Sequence, residues 1–209
     1  MRAAGTLRWF HSLPIAGALL ATASLAVATP PTLMISQIRT QGSGGGNDDF
    51  VEVYNASWRS IDLTGLKVYH SSTSNILMAT VASGSLGSGC YYLLAYSGYT
   101  GSVAADASLS SSVADNTSVG IVAASVTLDG VGFVNPAPPG LTFTEGTPLA
   151  DLAGDIDQAY ERNPGGAAGN WSDTNDNATD FTLIVPATPR SSASPCTPVD
   201  SVFDDSFDA

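Results

Sequence analysis

The chain has 209 residues, with seven Lys or Arg against 19 Asp or Glu, two Cys and 44% hydrophobic residues. A net charge of −12 argues against a phosphate-backbone binder or an anionic-lipid binder, since clustered cations supply most of that affinity. It leaves room for a solubilising coat or for the attraction of divalent cations.

In chain order, Arg2 and Arg8 precede an apolar run from Leu13 to Ala28 that ends Ala26-Val27-Ala28, the pattern of a secretory signal peptide over 1–28. A membrane anchor needs about 20 uninterrupted apolar residues, and this run holds Pro14, Thr22 and Ser24 and stops at Pro30-Pro31. Cleavage near Ala28 predicts a secreted or periplasmic product without a transmembrane anchor. The leader takes two basic residues with it, leaving five against 19 acids and a net of −14 on a length that suits one domain.

From there, short apolar runs of period two are bounded by Gly, Asn, Asp, Ser and Pro, which predicts strands and turns. "LMISQIRT" is the first. "GGGNDDFVEVYN" follows, its glycines forming a connection, Asp48 and Asp49 expected in water, and Val51 and Val53 on one face. "IDLTGLKVYHSS" turns at Thr64-Gly65 and sets Leu66 and Val68 opposite Lys67 and Tyr69. "GCYYLLAYSG" lacks polar alternation, so burial on both faces is expected. "SVGIVAASVTLDGVGFVN" reads as two strands, Val119 to Ala123 and Val126 to Phe133, around a tight Ala-Ser connection. "NPAPPGLTFTEGTPLADLAGDIDQ" is expected to be a long surface loop, and "DFTLIVP" a last strand closed by Pro186. Beyond Arg190 the chain turns small, polar and acidic, and 193–209 is expected to be a flexible tail. This spacing predicts an all-β sandwich over 29–192.

Cys90 and Cys196 stand 106 residues apart, and an oxidising compartment permits them to pair; two free thiols are the alternative.

The strings "ISQIRTQGSGGGNDDFVEVYN", "IDLTGLKVYH", "CYYLLAYSGYTG", "VTLDGVGF", "QAYERNPGG", "DTNDNATDFTL" and "PATPRSS", in this order, resemble the lamin tail domain in its secreted bacterial form, from about Leu33 to Ser192. The resemblance implies an immunoglobulin-like β-sandwich. Leu66 stands where that family often has Trp, which implies a smaller core there. The final "VFDDSFDA" is similar to aromatic-acidic tails of some Gram-negative secreted proteins, with Ser206 in place of the usual glycine; a frayed acidic end is the other reading.

Candidate chemistry is sparse. Outside the leader His70 is the lone histidine, and no G-x-S-x-G elbow accompanies it. One His and two Cys do not make a zinc ligand set. Asp155, Asp157 and Glu161 lie close enough in sequence to raise a glycosidase pair, against which stands a structural Glu161-Arg162 ion pair or a solvated strand face. "DTNDNATD" offers oxygen donors from Asp173, Asn175, Asn177 and Asp180 to a calcium ion. As an EF-hand it fails, with Ala178 at position six and Ile184 at position twelve, and an Asx-rich turn is the competing reading. Four glycosylation sequons, at Asn55, Asn116, Asn170 and Asn177, mark expected exposed loops. Tyr96, Tyr99 and Trp171 are candidate contact points, since aromatic residues in polar loops anchor partners.

The function expected is an exported, non-enzymatic interaction or tethering module with no obligatory cofactor. Lamin tail domains serve protein and chromatin attachment in eukaryotes, while secreted bacterial ones occur alone or joined to extracellular nucleases and other hydrolases. The resemblance therefore implies a protein or surface partner in the cell envelope or outside it. Nucleic acid is not expected, given the charge. The alternative is the accessory domain, or a divergent form, of an extracellular metal-dependent hydrolase.

Overall fold

The structure, a computed structural model, describes residues 33–134, 142–197 and 199. The expected leader over 1–28 and most of the expected acidic tail over 193–209 lie outside these residues. Among the described residues no helix is long and apolar enough to cross a membrane.

The strands in chain order are β1 (Leu33–Arg39), β2 (Phe50–Asn55), β3 (Ile61–Asp62), β4 (Lys67–Ser71), β5 (Asn75–Thr80), β6 (Ser85–Leu86), β7 (Tyr91–Ala95), β8 (Ala107–Ser108), β9 (Ser118–Ala123), β10 (Val126–Val134), β11 (Leu149–Ala150), β12 (Ala159–Arg162) and β13 (Phe181–Ile184). One helical turn, α1 (Asn177–Asp180), precedes the last. Two large sheets form, ordered β13-β12-β1-β2-β7-β8 and β11-β10-β9-β4-β5, with β3 and β6 paired in a small third. Ile35, Ile38, Val51, Val53 and Leu94 of the first sheet and Val68, Val119, Ile121, Val131 and Phe133 of the second share one buried cluster. Each such side chain removed from water contributes about 1.5–3 kcal/mol, so the layer between the sheets is the main source of cohesion.

Two departures from strict alternation set the details. The β1–β2 register shifts between Ile35 and Gln37, making Ser36 an extra residue, and this bulge lets both Ile35 and Ile38 face the core although they are an odd number of positions apart. In β10 the register with β9 shifts between Thr127 and Asp129, after which Val131 and Phe133 point inward. The glycines of "DGVGF" then lie on the opposite face, where they serve packing rather than turning. A Cβ on Gly130 would lie 2.1 Å from the Phe143 carbonyl oxygen, and one on Gly132 would lie 2.0 Å from Thr144 Oγ1. Only residues without a side chain let this covering segment approach so closely.

The β9–β10 connection is as tight as its sequence predicts. Ala124 and Ser125 both adopt positive φ, 47° and 67°, the backbone of a type I′ hairpin turn without the asparagine or glycine that usually fills it.

Several expectations need correction. Asp48 and Asp49 are fully buried rather than in water, because each carboxylate is enclosed by the loop amides it binds. The stretch after β10 is not a simple surface loop: Phe143, Leu149 and Leu152 are buried, and β11 adds a parallel strand to β10. β5, β8 and β11 carry no clear period-two signal. In β5 a bulge breaks the alternation, pairing Val68 with Ala79 but Tyr69 with Leu77, so Met78 is buried while Ile76 and Leu77 are exposed. Three of the four sequon asparagines, Asn55, Asn170 and Asn177, are fully buried and hydrogen-bonded to backbone, whereas Asn116 is exposed.

The folded unit also runs past Ser192. Cys90 and Cys196 are bonded to each other, and residues 188–197 cross the outer face of the six-stranded sheet as a strap. The Gln37 side-chain amide pairs with the Thr188 backbone in both directions, at 3.3 and 3.2 Å. Arg190 reaches Glu52 at 3.0 Å and Glu161 at 2.9 Å, and its guanidinium lies 3.9 Å from the Tyr91 ring centroid. Ser192 closes the strap by donating its amide to Asp106 at 2.9 Å.

Candidate functional site

Charged side chains are concentrated in three clusters, each built on an arginine: Arg39 and Arg162 are buried, and Arg190 is partly exposed on the strap. Arg162, on the core face of β12, donates from Nη2 to both carboxylate oxygens of Asp129 in the facing sheet, at 2.8 and 2.6 Å. The pair answers a need created by the β1 bulge. Asp129 Oδ2 accepts the Ile35 amide at 2.6 Å, and Arg162 Nε donates to the Ile35 carbonyl at 2.8 Å, so the backbone groups next to the irregularity are satisfied by side chains from both layers. Arg39, in β1, donates to the Asp48 carbonyl at 2.7 Å and pairs with the Asp48 carboxylate and with Asp157. Burial works against the Asp48 charge, but hydrogen bonds from Thr100 and Gly44 and the nearby Arg39 outweigh it and hold the carboxyl below its usual range. Arg190 is the third, described with the strap.

Glu161 and Arg162 therefore do not pair with each other. They alternate on β12, so Glu161 faces Arg190 on the outer side and Arg162 faces Asp129 in the core. Asp155 stands exposed at positive φ, 59°, and Asp157 meets Arg39, so neither joins Glu161 in a carboxylate pair. His70 lies in β4 opposite Ile76 and Val119, and its buried Nδ1 meets no hydrogen-bond partner among the described residues. Burial lowers its pKa, and the neighbouring Ser71 hydroxyl turns to Thr142.

The Asx-rich segment is the most elaborate local structure. Asp173 Oδ1 accepts the Asn175 amide at 3.0 Å, and Asp180 accepts the Thr174 amide and hydroxyl at 2.8–3.0 Å. Asp176 caps α1 through the Thr179 amide and also holds Thr147. Asn175 sits at positive φ, 57°. Asn177 points away from these groups into the edge of β10, accepting from Gly132 at 2.9 Å and donating to the Gly130 carbonyl at 2.8 Å. Of the four oxygen donors expected, the structure thus brings together Asp173 and Asp180, and it adds one the sequence did not suggest, Glu145. Carboxylate oxygens of these three acids lie within 4.8 Å of one another. The guanidinium of Arg162 stands 3.9 Å from Asp173 and 3.8 Å from Asp180, so part of the cluster's charge is already balanced by protein.

Burial, reinforced by the charges of Asp129 and Asp173, pushes the Glu145 carboxyl up to about 8. A carboxyl with a raised folded pKa binds its proton more tightly in the native state, so its contribution is fully present below the ordinary value of 4.5 and is lost as pH rises through about 8. Glu145→Gln is expected to flatten the stability profile across that window. Above it, with the shift discounted for the partial exposure of the carboxyl, the variant should gain on the order of 2 kcal/mol relative to the parent, read from urea midpoints at a series of pH values. Parallel profiles for the two proteins would place the titration elsewhere.

The three aromatic candidates do not form one surface. Tyr96 and Tyr99 follow the end of β7, whereas Trp171 adjoins Asn170, which bonds Tyr91 at the start of that strand. Tyr99 packs edge-on against Phe50 with centroids 5.9 Å apart and lies 5.5 Å from the Arg39 guanidinium, and Tyr96 is half-buried against the core. Trp171 is 37% exposed, its Nε1 donating to the Ala168 carbonyl. A fourth aromatic residue, Trp58, is 73% exposed with Arg59 stacked on it at 3.8 Å, and its place in the polar string "NASWRS" was the available signal.

Taken together, two packed β-layers joined by the buried Arg162–Asp129 pair define an immunoglobulin-like sandwich. The chain belongs to the lamin tail domain family, whose model matches residues 26–135, more than half of its 209 residues. That family is not a family of enzymes. No curated protein matches the chain. Among solved structures it is similar to a DUF4876 family protein from Bacteroides thetaiotaomicron VPI-5482, at 13% identity and a TM-score of 0.49, covering 81% of this chain and 75% of that one.

Proposed function

We propose that this chain is an exported, non-enzymatic module that tethers a protein or surface in the cell envelope or outside the cell. The observation that carries this reading is where the cations go. Outside the leader there are five basic residues, and Arg39, Arg162 and Arg190 are all committed to clamps inside the fold. Arg59 and Lys67 are the basic residues left exposed, and although acids such as Asp48, Glu52 and Asp129 are buried with the clamps, two scattered cations offer no track for a phosphate backbone. The carboxylates nearest to a hydrolytic arrangement are likewise committed, to Arg39, Arg190 or backbone amides. Among the described residues Trp58 and Trp171 are the aromatic groups best presented to a partner.

The test is direct. Purified protein assayed for nuclease and glycosidase activity with calcium or magnesium is expected to be inert. Activity lost on Asp173→Asn or Asp155→Asn would establish the accessory-hydrolase alternative. A calcium ion held by Glu145, Asp173 and Asp180 is a second reading, favoured by their convergence. With Arg162 already beside two of them, the thermal midpoint is expected to be the same in chelator and in millimolar calcium. A calcium-dependent rise that Glu145→Gln removes would establish the ion.

A further inference from the structure

The chain passes from β8 in the first sheet to β9 in the second through residues 109–117. Both ends of this crossover are tied to backbone. Leu109 donates its amide to the Ala95 carbonyl and Ser110 to the Met78 carbonyl, each at 2.9 Å, and the Thr117 amide closes on the Ala114 carbonyl at 3.2 Å. The middle carries Val113, which is fully buried and belongs to the core cluster between the sheets. Side chains hold that middle in place. Asp49 Oδ2 accepts the Val113 amide at 2.9 Å, Ser112 Oγ donates to the Gly46 carbonyl at 3.3 Å, and Asp115 accepts from Thr40 and Gln41.

Asp49 is fully buried, and its backbone is fixed: its carbonyl accepts the Tyr96 amide at 3.0 Å, and Phe50, next in the chain, begins β2. The carboxylate is served on one oxygen. Oδ1 is buried and meets no hydrogen-bond partner among the described residues. Of the charged groups around it, Asp48 opposes a second negative charge, and Arg39 of β1, which favours one, is already paired with Asp48 and with Asp157. Tyr99, from the loop after β7, packs on the same guanidinium, and Asp115 on the crossover turns to Thr40 and Gln41. A protonated carboxyl still accepts the Val113 amide and brings no charge into this dry site. An ionised one leaves a buried charge without a counter-ion of its own.

We propose that Asp49 is a proton-operated latch on the β8–β9 crossover: protonated, it locks Val113 into the core, and ionised, it favours a form in which residues 109–117 lift away and the carboxylate reaches water. Burial is the main force on this carboxyl and pushes it up to about 6 from the ordinary 3.8; Asp48 adds to the rise, while the Ser112 hydroxyl, the Val113 amide and Arg39 oppose it. The direction follows from that order. The closed form's advantage is whole below 3.8, shrinks as the open form ionises while the closed form keeps its proton, and is lost once pH has risen through about 6. The crossover is therefore tightest in acid and loosest at neutral pH. This device is independent of any partner the module binds.

The experiment follows hydrogen exchange at the Val113 amide of the full folded protein from about pH 4 to about pH 8, each rate divided by that of an unstructured amide at the same pH. Protection is expected to fall about tenfold per pH unit, about a hundredfold in all, and to level off above about pH 6, while amides of β1 and β2 keep theirs. Asp49→Asn still accepts the Val113 amide but carries no titrating group, so its profile is expected to be flat. Glu145→Gln is expected to leave the Val113 profile as in the parent, which separates the latch from the other raised carboxyl. A parent profile at Val113 that runs parallel to those of the strands, a slope that survives in Asp49→Asn, or one that Glu145→Gln removes would overturn the proposal. Should Asp49→Asn fail to fold, the carbon-13 shift of the Asp49 carboxyl in the parent decides: a midpoint near 6 supports the latch, and one near the ordinary 3.8 overturns it.

Discussion

Replacing Arg162 with Met is expected to lower the unfolding free energy by about 3–5 kcal/mol in urea denaturation, among the largest effects of any single substitution here. The reason is asymmetric. The guanidinium is fully buried, lies 4.5 Å from the Phe181 ring centroid, and donates to Asp129, to the Ile35 carbonyl and to the Ser172 carbonyl. Methionine fills much of the space but leaves a buried carboxylate without its counter-ion and a bulged strand without its donor. The double variant Asp129→Asn with Arg162→Met should be more stable than Arg162→Met alone, because the uncompensated charge is gone while Asn can still accept from the Ile35 amide. A single-variant cost below about 1 kcal/mol would show that water or relaxation serves Asp129 as well as the arginine does.

Removal of both cysteines, Cys90→Ser with Cys196→Ser, is expected to be comparably costly. The bond closes a loop of 106 residues, for which chain entropy alone sets an upper-end estimate of about 4.7 kcal/mol. The consequence should also be local. Arg190 enters the strap before Cys196 ends it, and Arg190 is the counter-ion of Glu52, whose fully buried carboxyl is raised by that burial and lowered by the arginine. Freed at its end, the strap should open ahead of the sandwich, and amide exchange at Thr188 and Thr197 should quicken before the β1 and β2 amides do. If both stay protected in the cysteine-free protein, the Arg190 clamp holds the strap by itself. Arg190→Ala with the bond intact would then be the destabilising change.

The strings around Val51, Val68, Val119 and Val131 announced the sheets because a strand half-facing a core must alternate, and the structure places those residues in the core cluster. "GCYYLLAYSG" announced burial on both faces, and the strap is what covers its second face, through Tyr91. The tight Ala124-Ser125 connection was legible from spacing alone. β5 was not, because its bulge scrambles the period on which such reading depends. Of the Asx-rich segment, the turn was legible in its residue types. Glu145 was not, since it joins Asp173 and Asp180 from a separate part of the chain.

The arginines mark the boundary most clearly. In "QAYERNPGG" and "PATPRSS" the residues Glu161, Arg162 and Arg190 look like ordinary solvated charges or a local pair, and nothing in their neighbours reveals which partner each will meet. Local sequence determined the all-β class, the turns, the two-layer core and the availability of two cysteines, because backbone preference and period-two burial act over a few residues. Tertiary structure alone decided that Arg162 meets Asp129, that Arg190 meets Glu52, and that Glu145 joins Asp173 and Asp180. Charge pairing depends on segments distant in the chain, and the cost of burying an ion fixes its partner only once the layers have come together.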